Sequence, residues 1–213
     1  MSIKENLKRI SDTLPENVTL VAVSKTKPIS AIEEAYAAGQ RVFGENKVQE
    51  MVEKFEALPK DISWHLIGHL QKNKVKYIAP FVHLIHGIDS FSTLKEINKQ
   101  AKKHDRIISC LLQVKIAEEE TKFGFSIPEV RNILASKDLV ELKNIAIKGF
   151  MGMASFTDNT KQIANEFQTL KSFFDEFQLQ ILSMGMSGDY KIAIKNGSTM
   201  VRVGSSIFGT RNL

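Results

Sequence analysis

Eight short runs rich in apolar and β-branched residues recur along the chain, at 20–23, 41–43, 64–67, 83–86, 107–114, 145–150, 181–183 and 200–203. Each ends near a glycine, a serine or a polar turn, and each is short enough to be a strand buried on both faces. Between them the apolar positions widen to the three-and-four rhythm of an amphipathic helix, over 29–38, 47–58, 73–79, 92–104, 128–136, 159–177 and 189–195. A last helical signal follows at Ser206, and another helix over 3–13 precedes the first strand. Strict alternation of strand and helix implies parallel pairing through right-handed crossovers, in either a closed eight-stranded barrel or an open doubly wound sheet. Eight consecutive units favour closure. The predicted fold is therefore α/β, a single TIM-type (β/α)8 barrel with an extra N-terminal helix, as one domain over 1–213. Such barrels typically need roughly 250 residues, so the loops must be short and a second catalytic domain has no room.

Composition narrows the setting. Apolar residues make up 43% of the chain, enough for one substantial core. No apolar stretch is long enough to span a bilayer, and the opening MSIKENLKRISDTL lacks the apolar segment of a secretory leader. A soluble, cytoplasmic protein is expected, with no membrane partner and as a monomer. The single cysteine, Cys110, sits in the apolar run IISCLLQV and reads as a buried structural thiol. The formal charge of +5 comes mostly from lysines spread over the chain with little aromatic interleaving. That describes a solvated surface better than a nucleic-acid footprint, so no nucleic acid is expected. Lys72, Lys74 and Lys76, the densest basic stretch, read as an exposed helix start. The pairs His65/His69 and His83/His86 fall in or beside strands, where their spacing does not build a ligand set, and no metal is expected.

In a barrel of this kind ligands sit at the C-terminal ends of the strands, so chemistry is sought just after each apolar run. Lys25 follows the first, in VAVSKTKP, with its amine directed at the barrel mouth. Desolvation there disfavours the charged form, and a neutral amine can form a Schiff base with an aldehyde. Lys27, two residues on, is expected to be solvated. A second constellation follows strands seven and eight: Gly185-Met186-Ser187-Gly188-Asp189 and Arg202-Val203-Gly204-Ser205-Ser206. Barrels bind phosphate in these loops. Glycine lets the backbone approach an anion, serine donates a hydrogen bond, and a helix starting at Ser205 aims free N–H groups at phosphate oxygens. Strand eight neighbours strand one in a closed barrel, so amine and loops converge on a ligand with a phosphate and a carbonyl group. Pyridoxal 5′-phosphate (PLP) satisfies both, as do sugar-phosphate aldehydes and ketones. From the residues alone, a cofactor binder and a Schiff-base lyase of the aldolase type both stand.

The segments VAVSKTKP, VFGENKVQE, WHLIGHLQKNK, GFMGMA, LSMGMSGDY and GSTMVRVGSSIFG, in that order from Val21 to Gly209, resemble the pyridoxal phosphate homeostasis protein family. The resemblance implies a fold similar to the N-terminal barrel of alanine racemase and a protein that keeps reactive PLP scarce yet available, with apo PLP-dependent enzymes as recipients. It implies no established turnover, and a low-activity amino-acid racemase or Schiff-base lyase is the alternative. By matching position, Lys25 would be the Schiff-base lysine, Ser187, Gly204 and Ser205 would hold the phosphate, and Arg202 would face the pyridine nitrogen. Asn46 of FGEN, His65 of WHLIG and Met153 of GFMGM fall where they could reach the ring, Asn46 best of the three. The chain has Gly204-Ser205-Ser206 where many members of that family have Gly-Thr-Ala, which keeps a hydroxyl at the first variable position. A guanidinium beside the pyridine nitrogen leaves it unprotonated and makes the ring a poorer electron sink. The chain also lacks the further domain whose tyrosine completes the racemases, so efficient racemisation is not expected.

Overall fold

Strand β1 (Thr19–Val23) pairs in parallel with β2 (Val42–Glu45) on one side and with β8 (Met200–Val203) on the other, so the sheet closes on itself. The intervening strands are β3 (Ser63–Leu66), β4 (Leu84–Ile88), β5 (Ile108–Gln113), β6 (Ile145–Met151) and β7 (Ile181–Ser183), in chain order around the barrel. This is a computed structural model, describing residues 2–118 and 123–209. Outside the strands run α1 (Ile3–Ser11), α2 (Ile29–Ala37), α3 (Val48–Ala57), α4 (Val75–Ile78), α5 (Phe91–Lys103), α6 (Ile127–Leu134), α7 (Lys137–Val140), α8 (Thr160–Phe174), α9 (Tyr190–Lys195) and α10 (Ser205–Phe208). The expected closed α/β barrel with an added N-terminal helix is the fold observed.

Local chemistry starts the helices where they start. Ser2 accepts the Glu5 N–H at 3.2 Å while the Glu5 carboxylate accepts the Ser2 N–H at 2.8 Å, a capping box that opens α1. Ser126 and Glu129 repeat the device ahead of α6. Two expected helices come out differently. The stretch 73–79 is a 3-10 turn, Lys72–Lys74, leading into the four-residue α4, and Pro80 disfavours helical backbone just before it. The stretch 128–136 ends at Leu134, because the Ser136 hydroxyl accepts the Leu139 N–H at 3.2 Å and opens the separate helix α7.

Side chains alternate across each strand. Leu20, Ala22, Phe43 and Trp64 join the large core between barrel and helices, whereas Val21, Leu84, Leu111, Met151 and Met200 form a second, smaller cluster that fills the barrel interior. Cys110 is fully buried in the outer core, and burial pushes its thiol up, as befits a structural residue. Among the described residues no helix is long and apolar enough to cross a membrane. Phe150 on β6 is fully buried, stacking on Phe173 at 5.0 Å and meeting Phe174 and Phe177 edge-on. Phe150→Ala is expected to cost about 4 kcal/mol of unfolding free energy through lost burial and the cavity left behind. Urea denaturation measures it; a shift within error of zero would mean that the α8 face repacks.

Candidate functional site

Chain and solvent meet over the strand ends at a turn, Ser24 to Lys27, closed by the Lys27 N–H donating to the Ser24 carbonyl at 3.1 Å. Lys25 is half-buried in this turn and lines the main cavity of the mouth. Thr26 has φ of 63°, the left-handed region that a β-branched residue rarely enters. Lys27 departs from expectation. Rather than standing in solvent it is half-buried, and its ammonium donates to the carbonyls of Phe208 at 3.0 Å and Gly209 at 3.1 Å. The exit of the first strand is thereby tied to the end of α10.

The loops after β7 and β8 are tied to each other. The Gly204 N–H donates to Ser187 Oγ at 3.1 Å. Gly185 has φ of 94°, which only glycine takes without strain, and it turns the chain out of β7. The Asp189 carboxylate accepts the Met186 N–H at 2.6 Å, and burial holds its pKa above the usual carboxylate range. At Gly204 a Cβ would lie 3.1 Å from the Val23 carbonyl oxygen, so the absent side chain lets the eighth loop settle against β1. At the start of α10 the Ser205 and Ser206 amides have no acceptor within the helix, and Ser205 lines the cavity together with Ser187.

Arg202 rises between these parts from inside the barrel. It is buried, yet its side chain lines the mouth. One guanidinium nitrogen donates to the Ser183 carbonyl at 2.9 Å and to Ser183 Oγ, and the other to the Gly152 carbonyl at 3.1 Å. Burial lowers its pKa to about 10, still cationic at neutral pH. A guanidinium is an obligate donor, and it orders what lies below. Ser183 Oγ accepts from Arg202 and is hydrogen-bonded to His86 Nδ1 at 3.0 Å, and His86 Nε2 is in turn hydrogen-bonded to His65 Nδ1 at 3.0 Å. Both imidazoles are neutral: burial, then the charge of His83, lowers the His65 pKa to about 3, and burial likewise lowers that of His86. His65, expected to reach a ring at the mouth, instead lies inside the barrel as the far end of this chain, stacked on His83 at 5.6 Å.

The cavity itself encloses about 690 Å³, within the range of about 300–1,000 Å³ usual for small-molecule sites. Lys25, Asn46, Ser187, Arg202, Gly204 and Ser205 all line it, and so does Met153. The sequence reading missed Ile67, His69, Gln113 and Phe123, which line the opposite wall. His69 pairs with Asp89 at 2.8 Å and stacks on Phe123 at 5.4 Å. Position after a strand could have marked His69 and Gln113; nothing local marks Phe123. Ile67, Met153 and Met186 give the cavity apolar walls, Arg202 brings a guanidinium to it, and the loops after β7 and β8 bring the hydroxyls of Ser187 and Ser205. Among the described residues no group of three or more His, Cys, Asp or Glu is arranged to hold a metal.

The chain is a closed parallel (β/α)8 barrel whose mouth brings a lysine at the end of the first strand together with glycine-serine loops after the last two. The family model described as alanine racemase, N-terminal domain, matches residues 1–212. A pyridoxal phosphate homeostasis protein from Haemophilus influenzae is 40% identical over an alignment covering 100% of this chain and 97% of the relative. The chain belongs to the pyridoxal phosphate homeostasis protein family. Among solved structures, PipY of Synechococcus elongatus PCC7942 without PLP superposes with a TM-score of 0.91 at 36% identity, covering 98% of this chain and 100% of PipY. The same protein is also solved with PLP bound, at a TM-score of 0.88. Alanine racemase of Clostridium difficile shares the fold at 16% identity and a TM-score of 0.81, with this chain spanning 57% of it.

Proposed function

We propose that this chain binds PLP in the barrel mouth, holds it through Lys25 as a Schiff base, and serves intracellular PLP homeostasis and delivery without robust catalysis. The observation that carries the proposal is the convergence of Lys25, Asn46, Ser187, Arg202, Gly204 and Ser205 on one cavity. When bound, PLP contributes an aldehyde open to amines and a ring that can accept electrons. The residues of this chain do the rest. Ser187, Ser205 and the backbone amides of Ser205 and Ser206 would take the phosphate. Arg202, held from behind by Ser183 and Gly152, would offer a donor to the pyridine nitrogen and so disfavour its protonation. Asn46, at the exit of β2, lines the cavity and would border the ring.

That arrangement favours holding over converting. A carboxylate at the ring nitrogen would favour protonation and carbanion stabilisation, whereas a guanidinium does not. Support for a non-catalytic role also comes from the naming of the relatives as homeostasis proteins. The test begins with purified protein loaded with PLP. It should absorb in the visible, and borohydride should fix the cofactor's mass on the peptide that contains Lys25. An adduct on another lysine, or none, overturns the assignment. Chiral analysis after incubation with a panel of L-amino acids should give no product above background; turnover lost on Lys25→Ala would instead support the racemase alternative. Delivery is checked by comparing transfer to an apo-enzyme from the loaded protein and from free PLP, where equal rates would argue for storage.

A further inference from the structure

Beside the cavity but outside it lies a buried charge cluster that the binding site does not use. Lys54 on α3 is 4% exposed and Glu45 at the end of β2 is fully buried. The Lys54 ammonium donates three times: to the Ser24 carbonyl at 2.8 Å, to Glu45 Oε1 at 2.7 Å and to Glu50 Oε1 at 2.7 Å. Three donors are all that an ammonium has. Ser24 Oγ donates to the same Glu45 oxygen at 2.5 Å, and Glu50 Oε1 accepts the Thr26 N–H at 2.5 Å. The residues on both sides of Lys25 are thus gripped by one cluster.

We propose that Lys54, Glu45 and Glu50 form a clamp that positions the Lys25 turn, and with it the amine, for reaction with the cofactor's aldehyde. The inference rests on Lys25 being the residue that carries PLP. Stability alone is a poor reason for the cluster, because desolvating such charges offsets most of their attraction and apolar residues of similar volume commonly do as well. Its satisfaction is also uneven: Glu45 Oε2 is buried with no hydrogen-bond partner among the described residues. What the cluster does fix is geometry. Thr26 at φ of 63° is a conformation that persists only where its surroundings over-determine it, and the bond from its N–H to Glu50 is such a constraint. The three positioning residues come from the end of β2, which pairs with β1, and from α3, which packs on β2 and β3.

The test compares the full-length protein with Glu50→Ala, Glu50→Gln and the matched pair Lys54→Met with Glu45→Leu, which leaves neither buried charge alone. Glu50 has a side chain 21% exposed, and its loss leaves the Lys54 ammonium still paired with Glu45 and the Ser24 carbonyl. Four quantities are read: melting temperature, the rate at which visible absorbance appears on adding PLP, the adduct trapped at Lys25, and affinity for pyridoxamine 5′-phosphate. The last has the ring and phosphate but no aldehyde. Glu50→Ala and the matched pair should load on the order of ten- to hundred-fold more slowly, the penalty of a reacting group displaced by about an ångström. Their pyridoxamine phosphate affinity should hold, and Glu50→Gln, whose amide oxygen can still accept the Thr26 N–H, should load like the parent. Folded Glu50→Ala protein that loads at the parental rate overturns the clamp, as does a loss that tracks melting temperature with pyridoxamine phosphate affinity falling in step. A parent protein that traps nothing on Lys25 is a different result: it overturns the site assignment itself.

Discussion

Lys25→Ala protein is expected to purify colourless and to stay colourless with excess PLP, with complete loss of the adduct that borohydride traps in the parent. The loss should be total because, among the described residues, the lysines nearest to Lys25 are engaged elsewhere. Lys27 is committed to the carbonyls of Phe208 and Gly209. Lys54 is buried with all three of its N–H groups engaged. The loops that would take the phosphate arise from β7 and β8 and are cross-linked by Ser187 and Gly204, independently of the Lys25 side chain. Pyridoxamine 5′-phosphate should therefore still bind to Lys25→Ala, measured by calorimetry. Retained colour, with the adduct mapped to Lys27, would show that the wrong lysine of SKTK has been assigned.

Acid should unfold this barrel early, and the buried histidines set the sign. His65 has a pKa of about 3 in the folded protein against an ordinary 6.5, and that of His86 is also well below 6.5. Between about pH 6.5 and the folded values, the unfolded chain binds protons that the folded one refuses, so stability falls as pH falls. His65 removes about 1.4 kcal/mol per pH unit, so by about pH 4.5 it costs on the order of 3 kcal/mol, a large share of the stability of many domains, and His86 acts in the same direction. Glu45 works in the opposite direction, because burial raises its folded pKa, and it offsets part of the loss. Urea midpoints at pH 7 and pH 4.5 measure the effect. His65→Gln, which keeps a neutral hydrogen-bonding partner for His86, should shrink the difference by the His65 share. Equal midpoints in the parent at both pH values would contradict the neutral, buried assignment of the pair.

These histidines also show where sequence reading stops. A pair spaced by three or four residues invites comparison with metal ligands, whereas the contact that matters joins His65 to His86 across two strands, and nothing local encodes that register. The strands were legible because each one is a run of apolar residues set against helices with a different period. β2 was the weak one: its run was read as 41–43, yet the strand extends through Gly44 to Glu45. A glutamate reads as the start of a loop, and only the partner on α3 makes its burial tolerable. Lys54 reads as an exposed helix position for the same reason. Lys25, Ser187, Arg202, Gly204 and Ser205 were legible as residues of the mouth because barrel topology decides which strand ends and loops open onto it. Phe123 and His69 complete the same cavity through a contact between loops, which topology does not specify.

Closure of the sheet between β1 and β8 has a consequence during synthesis. Lys25 leaves the ribosome early, whereas Arg202, Gly204 and Ser205 emerge only after β8 has been made, and β1 has no partner on that side until then. The mouth is therefore assembled by the last strand. A growing chain, however long it pauses, offers no complete cup to the cofactor, and a bound ligand reports that translation of the barrel has finished.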